Sequence, residues 1–214
     1  MDLPPPRIDL LVHAPSPTIL EPVLQAVFEP SPVLSDLASS LQQRIQSSDT
    51  SSRPRTYDEL LNLARDVVSK EWDPSKKATF VNSHPRIGET KNLSASSHAE
   101  QQASETTPGV VLKRLLILNT LYEEAFPNLR FITFVNGRTR SEIVPEFEAR
   151  LGLSLPPPSV STGEPSATAL RTSGKLQIHT QGSTRWRQEC DKAIEAMFDI
   201  AHDRMKKWQA QFGR

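Results

Sequence analysis

The chain has 214 residues, 36% of them hydrophobic and 18 of them proline, with 25 acidic residues against 25 basic ones. That length allows one folded domain with a sizeable core, and the neutral balance offers no field to attract nucleic acid or an anionic membrane. The sparse aromatics do not interleave with basic residues, which argues against a base-stacking surface, and the one cysteine, Cys190, excludes an internal disulfide and a cysteine-based zinc site.

In chain order, residues 1–18 are rich in proline and read as a flexible N-terminal segment. From Ile19 to Phe28 apolar residues recur near helical spacing, with Pro22 tolerable in a first turn. "SPVLSDLASSLQQRI" reads as a second helix, capped by Ser31 and with Pro32 at its first position. After the polar loop "QSSDTSSRPR", Thr56 and Glu59 have capping-box spacing, and the following residues set Leu60, Leu61, Ala64, Val67, Val68 and Trp72 on one broad face. "DPSK" reads as a turn.

"VVLKRLLILNTLYEEAF" is apolar almost all round, as a central buried helix would be. "LRFITFVNGR" is short, β-branched and aromatic; a lone strand would have nothing to pair with, so an extended connector between helices fits equally well. "SEIVPEFEARLG" reads as a helix with Ile143, Phe147 and Leu151 on one side and Gly152 as its stop. Residues 152–184, dense in Pro, Ser, Thr and Gly, read as a disordered insertion. The strongest helix comes last, with Cys190, Ala193, Ile194, Met197, Ala201, Met205 and Trp208 in helical phase. The fold class is therefore all-α: one compact helical domain over 19–208, interrupted at 152–184 and followed by a short tail at 209–214.

Polar residues that break the pattern mark candidates for chemistry. Arg204 shares the angular position of Met197, so it should point inward rather than into bulk water. Three readings stay open: an aliphatic stem along the core with its tip in solvent, a structural ion pair, or an anion contact. In "SHPRIGETKNLSASSHAEQQ", Pro85 forces the preceding helix to stop near His84. Ser97 and Glu100 have capping-box spacing for the next helix, whose N-terminus would favour an anion. His84 is then either a local capping or surface residue or half of an acid–base pair with Glu100. His84, His98 and Glu100 lack the spacing of zinc-binding helices, so no metal is expected.

Taken together, "HPRIG", "LSASSHAEQ", "LNTLYEEAF", "RFITFVNGR" and "EFEARLG" resemble the family of OHCU decarboxylases, which act on 2-oxo-4-hydroxy-4-carboxy-5-ureidoimidazoline in the degradation of urate to allantoin. A last helix containing Glu189, Ala193, Ile194, Ile200, Arg204 and Met205 extends the resemblance. It implies an all-α fold, a homodimer, and decarboxylation of a small ureidoimidazoline to S-allantoin and CO₂ without a cofactor. It also implies that His84, Glu100 and Arg204 are catalytic. Pro85, Ser97, Gln101 and the connector Phe131, Ile132, Thr133, Phe134 and Val135 would contact substrate. Neither nucleic acid nor a membrane is expected as a partner. Neither end of the chain carries a recognisable address, the final residues lacking a peroxisomal tripeptide. The expected location is cytoplasmic, with the peroxisome left open because related enzymes reside there. Three departures from the family pattern stand out: Arg86 inside the histidine motif, the short "ETKN" turn, and the long insertion. Arg86 and the insertion motivate a rival reading, a catalytically silent homologue that binds a ligand or partner.

Overall fold

The computed structural model describes residues 3–89, 107–159, 165–174 and 176–213. Among these residues the regular structure is helical, without strands: α1 Ile8–Val12, α2 Glu21–Val27, α3 Leu34–Ser47, α4 Tyr57–Glu71, α5 Pro74–Asn82, α6 Gly109–Ala125, α7 Arg140–Arg150, α8 Ala167–Thr172 and α9 Thr184–Gln211. No helix among them is long and apolar enough to cross a membrane. The chain divides into two units, Met1–His84 with Ile194–Arg214, and Pro85–Ala193. The boundaries fall at the His84–Pro85 bond and within α9.

In unit one, α3 packs on α1, α2 and α4. Its Leu37, Ala38, Leu41 and Ile45 are fully buried, as are Ala64, Val67 and Val68 of α4. Each such leucine or isoleucine contributes about 1.5–3 kcal/mol by leaving water. Phe28 meets Phe80 and Phe198 edge to face, with centroids 5.1 Å and 5.2 Å apart, and Trp72 adds a fourth ring 5.6 Å from Phe80.

Local chemistry differs from the sequence reading at several ends. Thr56 accepts from Glu59 N at 3.1 Å, but the Glu59 carboxylate reaches past Thr56 to Arg55 N at 2.6 Å, so the capping box is half made. Ser31 does not cap α3. The helix begins three residues later, after a turn in which Leu34 N donates to Ser31 O at 3.2 Å. "DPSK" is a helix start, not a turn: Asp73 accepts from Ser75 N and Lys76 N at 2.8 Å and 3.0 Å, and Pro74 occupies the first helical position.

The proline-rich stretch read as flexible carries α1, with Leu11 and Val12 buried. Two donors pin the segment before it, Tyr57 Oη to Pro6 O at 2.6 Å and Trp208 Nε1 to Leu3 O at 2.8 Å. A proline lacks an N–H but keeps its carbonyl, so a few aromatic donors suffice to hold such a segment.

In unit two, α6 packs on α7 and α8. Tyr122 lies 4.9 Å from Phe126 and 5.7 Å from both Phe131 and Phe147, and the last two stack at 3.8 Å. Arg114 and Glu148 form a buried ion pair. A second buried carboxylate, Glu189, receives Arg150 at 3.0 Å, Lys192 at 2.8 Å, Arg185 at 3.2 Å and the Tyr122 hydroxyl at 3.2 Å. Burial pushes the Glu189 carboxyl up, but Lys192 and Arg150 outweigh it and hold it below its ordinary value. Burial and the Glu189 charge raise the Tyr122 phenol well above its usual range.

The described part of the insertion is anchored to unit two. Leu170 of α8 is buried, Arg171 grips Glu124 with both arms, and His179 N donates to Ala125 O at 2.8 Å while its ring stacks on Phe126 at 5.0 Å. A low-complexity composition conceals such anchors, because each is a single side chain meeting a distant partner.

Candidate functional site

His84 ends α5 as its neighbours require. Ser83 N and His84 N donate to Phe80 O and Val81 O at 3.2 Å each, closing the last turn before Pro85. The histidine is 8% exposed and belongs to unit one. Beyond it, the chain turns at Gly88 with φ 83°, where a Cβ would stand 3.2 Å from Leu115 Cδ1. Both the left-handed backbone and the close approach call for glycine. Asn119 Nδ2 ties the turn to α6, donating to Ile87 O at 3.0 Å and Leu115 O at 2.8 Å.

Arg86, the departure within the histidine motif, has its charge balanced. Its Nε and Nη2 donate to the two carboxylate oxygens of Glu123 at 2.6 Å and 2.8 Å, and its backbone N donates to Glu89 Oε2 at 2.9 Å. The Glu123 hydrogen bonds raise the guanidinium pKa further above its ordinary value, so Arg86 stays charged and paired.

Arg204 points inward, as helical phase requires, and is 5% exposed. Its Nη2 donates to Glu29 Oε1 at 2.9 Å and its Nη1 to Val27 O at 3.2 Å. Glu29 is itself buried at 4% exposure. Of the three readings open for Arg204, the tip in solvent is thereby removed. The guanidinium is oriented by a carboxylate and a carbonyl at the C-terminal end of α2. Both His84 and Arg204 lie in unit one.

The connector Phe131–Val135 lies in unit two and is neither helix nor strand. Phe131 and Ile132 are buried and Thr133, Phe134 and Val135 half-buried. The segment ends in a tight turn in which Asn136 and Gly137 have φ 46° and 77° and Arg138 N donates to Val135 O at 2.9 Å. Positive φ at both central positions is the mark of a type I′ turn. The turn brings the Arg138 side chain back along the connector, where Nη2 donates to Phe134 O at 2.6 Å and Nε to Val135 O at 3.2 Å. The backbone N–H groups of Phe131–Val135 donate no hydrogen bond among the described residues. Ser97, Glu100 and Gln101 lie outside the described residues.

Sequence reasoning missed three partners. Glu29 pairs with Arg204, Glu189 gathers Arg150, Arg185 and Lys192, and Glu146 joins Arg138 at 2.8 Å. The inward phase of Arg204 did call for a carboxylate, but nothing in one sequence chooses among 25 acidic residues. Helical phase could have found Glu189, which lies four residues before Ala193 on the buried side of α9.

The family model for OHCU decarboxylase matches residues 15–156. That span contains the histidine motif and the connector, and ends before α9. Among solved structures, the chain resembles one described as the crystal structure of OHCU decarboxylase in the presence of (S)-allantoin, with a TM-score of 0.50 and 21% identity over 82% of this chain and 92% of the other. That likeness extends the agreement in fold beyond the span of the family model. A search of curated proteins found no match.

Proposed function

From the premise that this chain belongs to the OHCU decarboxylase family, we propose that His84, Glu100, Arg204 and the connector carry a decarboxylation of 2-oxo-4-hydroxy-4-carboxy-5-ureidoimidazoline to S-allantoin and CO₂. The substrate bears a carboxylate and a hydroxyl on one ring carbon, beside a C=N bond. When the bond to the carboxylate breaks, CO₂ leaves, the electron pair of that bond forms a carbon–carbon double bond, and the C=N pair shifts to nitrogen, which takes up a proton. The resulting enol-like intermediate then takes a proton on carbon. Delivery from one face gives a single enantiomer.

In this scheme Arg204 holds an anionic or carbonyl oxygen, and Glu29 aims its guanidinium. His84 and Glu100 manage the hydroxyl proton, and His84 protonates carbon. Pro85, Ser97 and Gln101 shape the pocket around the ring. Backbone N–H groups of Phe131–Val135 bind ring oxygens, an arrangement that costs no reorganisation during reaction. The observation that carries the reading is the connector: its carbonyls at Phe134 and Val135 are occupied by Arg138, while its N–H groups donate to nothing among the described residues. One motive for the silent-homologue reading falls away, since Glu123 pairs the charge of Arg86.

The test generates the ureidoimidazoline freshly from urate and follows the optical activity of allantoin with and without protein. Faster formation with an excess of the S form is expected. An unchanged rate and a racemic product would refute the proposal. We propose further that the protein acts as a homodimer in the cytoplasm or peroxisome; a sedimentation mass of one chain, or residence in another compartment, would refute those points.

A further inference from the structure

We infer that Arg138, Thr133 and Glu146 form a clamp that aims the Val135 N–H of the connector and the Asn136 N–H that follows it, making Arg138 a positioning residue for the reaction. This rests on the reading that the connector binds substrate. Arg138 Nη2 donates to Thr133 Oγ1 at 3.1 Å as well as to Phe134 O at 2.6 Å, and its Nη1 donates to Glu146 Oε2 at 2.8 Å. The Thr133 hydroxyl donates to Glu146 Oε1 at 3.1 Å, closing a ring of three side chains. Arg150, one turn along α7, lies 3.5 Å from the same carboxylate and holds it from the other side.

The consequence follows from the planarity of the peptide bond. In a trans peptide unit the C=O and N–H point in opposite directions. The Phe134 carbonyl shares its unit with the Val135 N–H, and the Val135 carbonyl shares its unit with the Asn136 N–H. By gripping both carbonyls, Arg138 fixes the directions of both N–H groups. A segment outside any sheet or helix has no ladder to do this. Arg138 is suited to the task because its rigid fork reaches the two carbonyls, a hydroxyl and a carboxylate together. A lysine has a point charge and no fork. The clamp therefore supplies by side chain the preorganisation that a neighbouring strand would otherwise give.

The experiment compares wild type with Arg138→Ala, Arg138→Lys and Glu146→Gln, reading turnover of the ureidoimidazoline, affinity for (S)-allantoin, thermal midpoint, and the ligand-free backbone ¹⁵N order parameters of residues 132–136. Arg138→Ala should lower kcat/KM by about 10–100-fold, the scale of a misdirected hydrogen-bond donor. It should weaken (S)-allantoin binding and lower the order parameters of Val135 and Asn136, with helix content retained. Arg138→Lys should resemble it, and Glu146→Gln should give a smaller loss in the same direction, because the amide keeps one accepting oxygen but sets an N–H against a donor where the carboxylate accepts. Unchanged order parameters in Arg138→Ala would overturn the clamp itself. Lowered order with full turnover would overturn its role in positioning. An inactive wild type that also fails to bind (S)-allantoin would instead remove the reading of the connector as a substrate site, and the inference with it.

Discussion

Arg204 in unit one and Arg86 in unit two each meet a glutamate, yet their surroundings assign them different weights. Arg204 and Glu29 are nearly enclosed, with side chains 4% and 5% exposed, whereas the Arg86 and Glu123 side chains are 39% and 31% exposed. A buried charge left without its partner is costly, because neither water nor salt replaces the lost anion. A half-exposed charge can return to solvent, so its pair contributes little. The more eye-catching departure in the sequence, Arg86, is thus the less consequential residue, and the arginine concealed in an apolar helix face is the one the core depends on.

That contrast can be broken experimentally. Glu29→Gln takes a charged acceptor away from the enclosed Arg204 guanidinium, and should destabilise the protein by about 3 kcal/mol, at the lower end for a broken buried pair. Chemical denaturation measures this, and turnover should fall with it. A variant as stable and as active as wild type would show that burial does not set the weight of these pairs. Glu189→Gln should have the next largest effect, about 1–3 kcal/mol at neutral pH, since three cations lose a charged acceptor that is fully enclosed.

The pH dependence has a definite sign. The Glu189 carboxyl is held below its ordinary 4.5 in the folded state, so its contribution is fully present above that value and is lost as pH falls through the lower folded one. The gap in stability between wild type and Glu189→Gln should therefore narrow on acidification below about pH 4.5. A gap that widened there would contradict the assignment. Arg86→Ala should do least, costing about 1 kcal/mol or less and leaving turnover within about twofold. A large loss of turnover with stability intact would give Arg86 a direct part in the chemistry and restore the weight the sequence first gave it.

The same two regions show what a single sequence reveals. Helical phase is a local property, and it correctly turned Cys190, Ala193, Ile194, Met197, Ala201, Met205, Trp208 and Arg204 inward along α9. The stop at His84 was equally legible, because Pro85 disfavours helix at the preceding residue whatever the tertiary setting. Partnerships were not legible. Glu29 lies 175 positions from Arg204, and no local rule joins them. Arg138 and Glu146 are closer in sequence, but their meeting depends on the turn at Asn136–Gly137 and on the start of α7, where Thr139 and Glu142 form a reciprocal cap. The α3 start also departs from the local pattern: Ser31 and Pro32 suit a cap and first turn, but the helix begins only at Leu34, after a turn closed by Leu34 N and Ser31 O.

The most direct test of the proposed chemistry is the turnover of His84→Ala on freshly generated 2-oxo-4-hydroxy-4-carboxy-5-ureidoimidazoline, with wild type run alongside and far-UV circular dichroism of both proteins recorded. Loss of S-allantoin formation in the variant, with the helical signal retained, is the result expected if His84 delivers the proton. A variant of full activity and unchanged enantiomeric excess would contradict it.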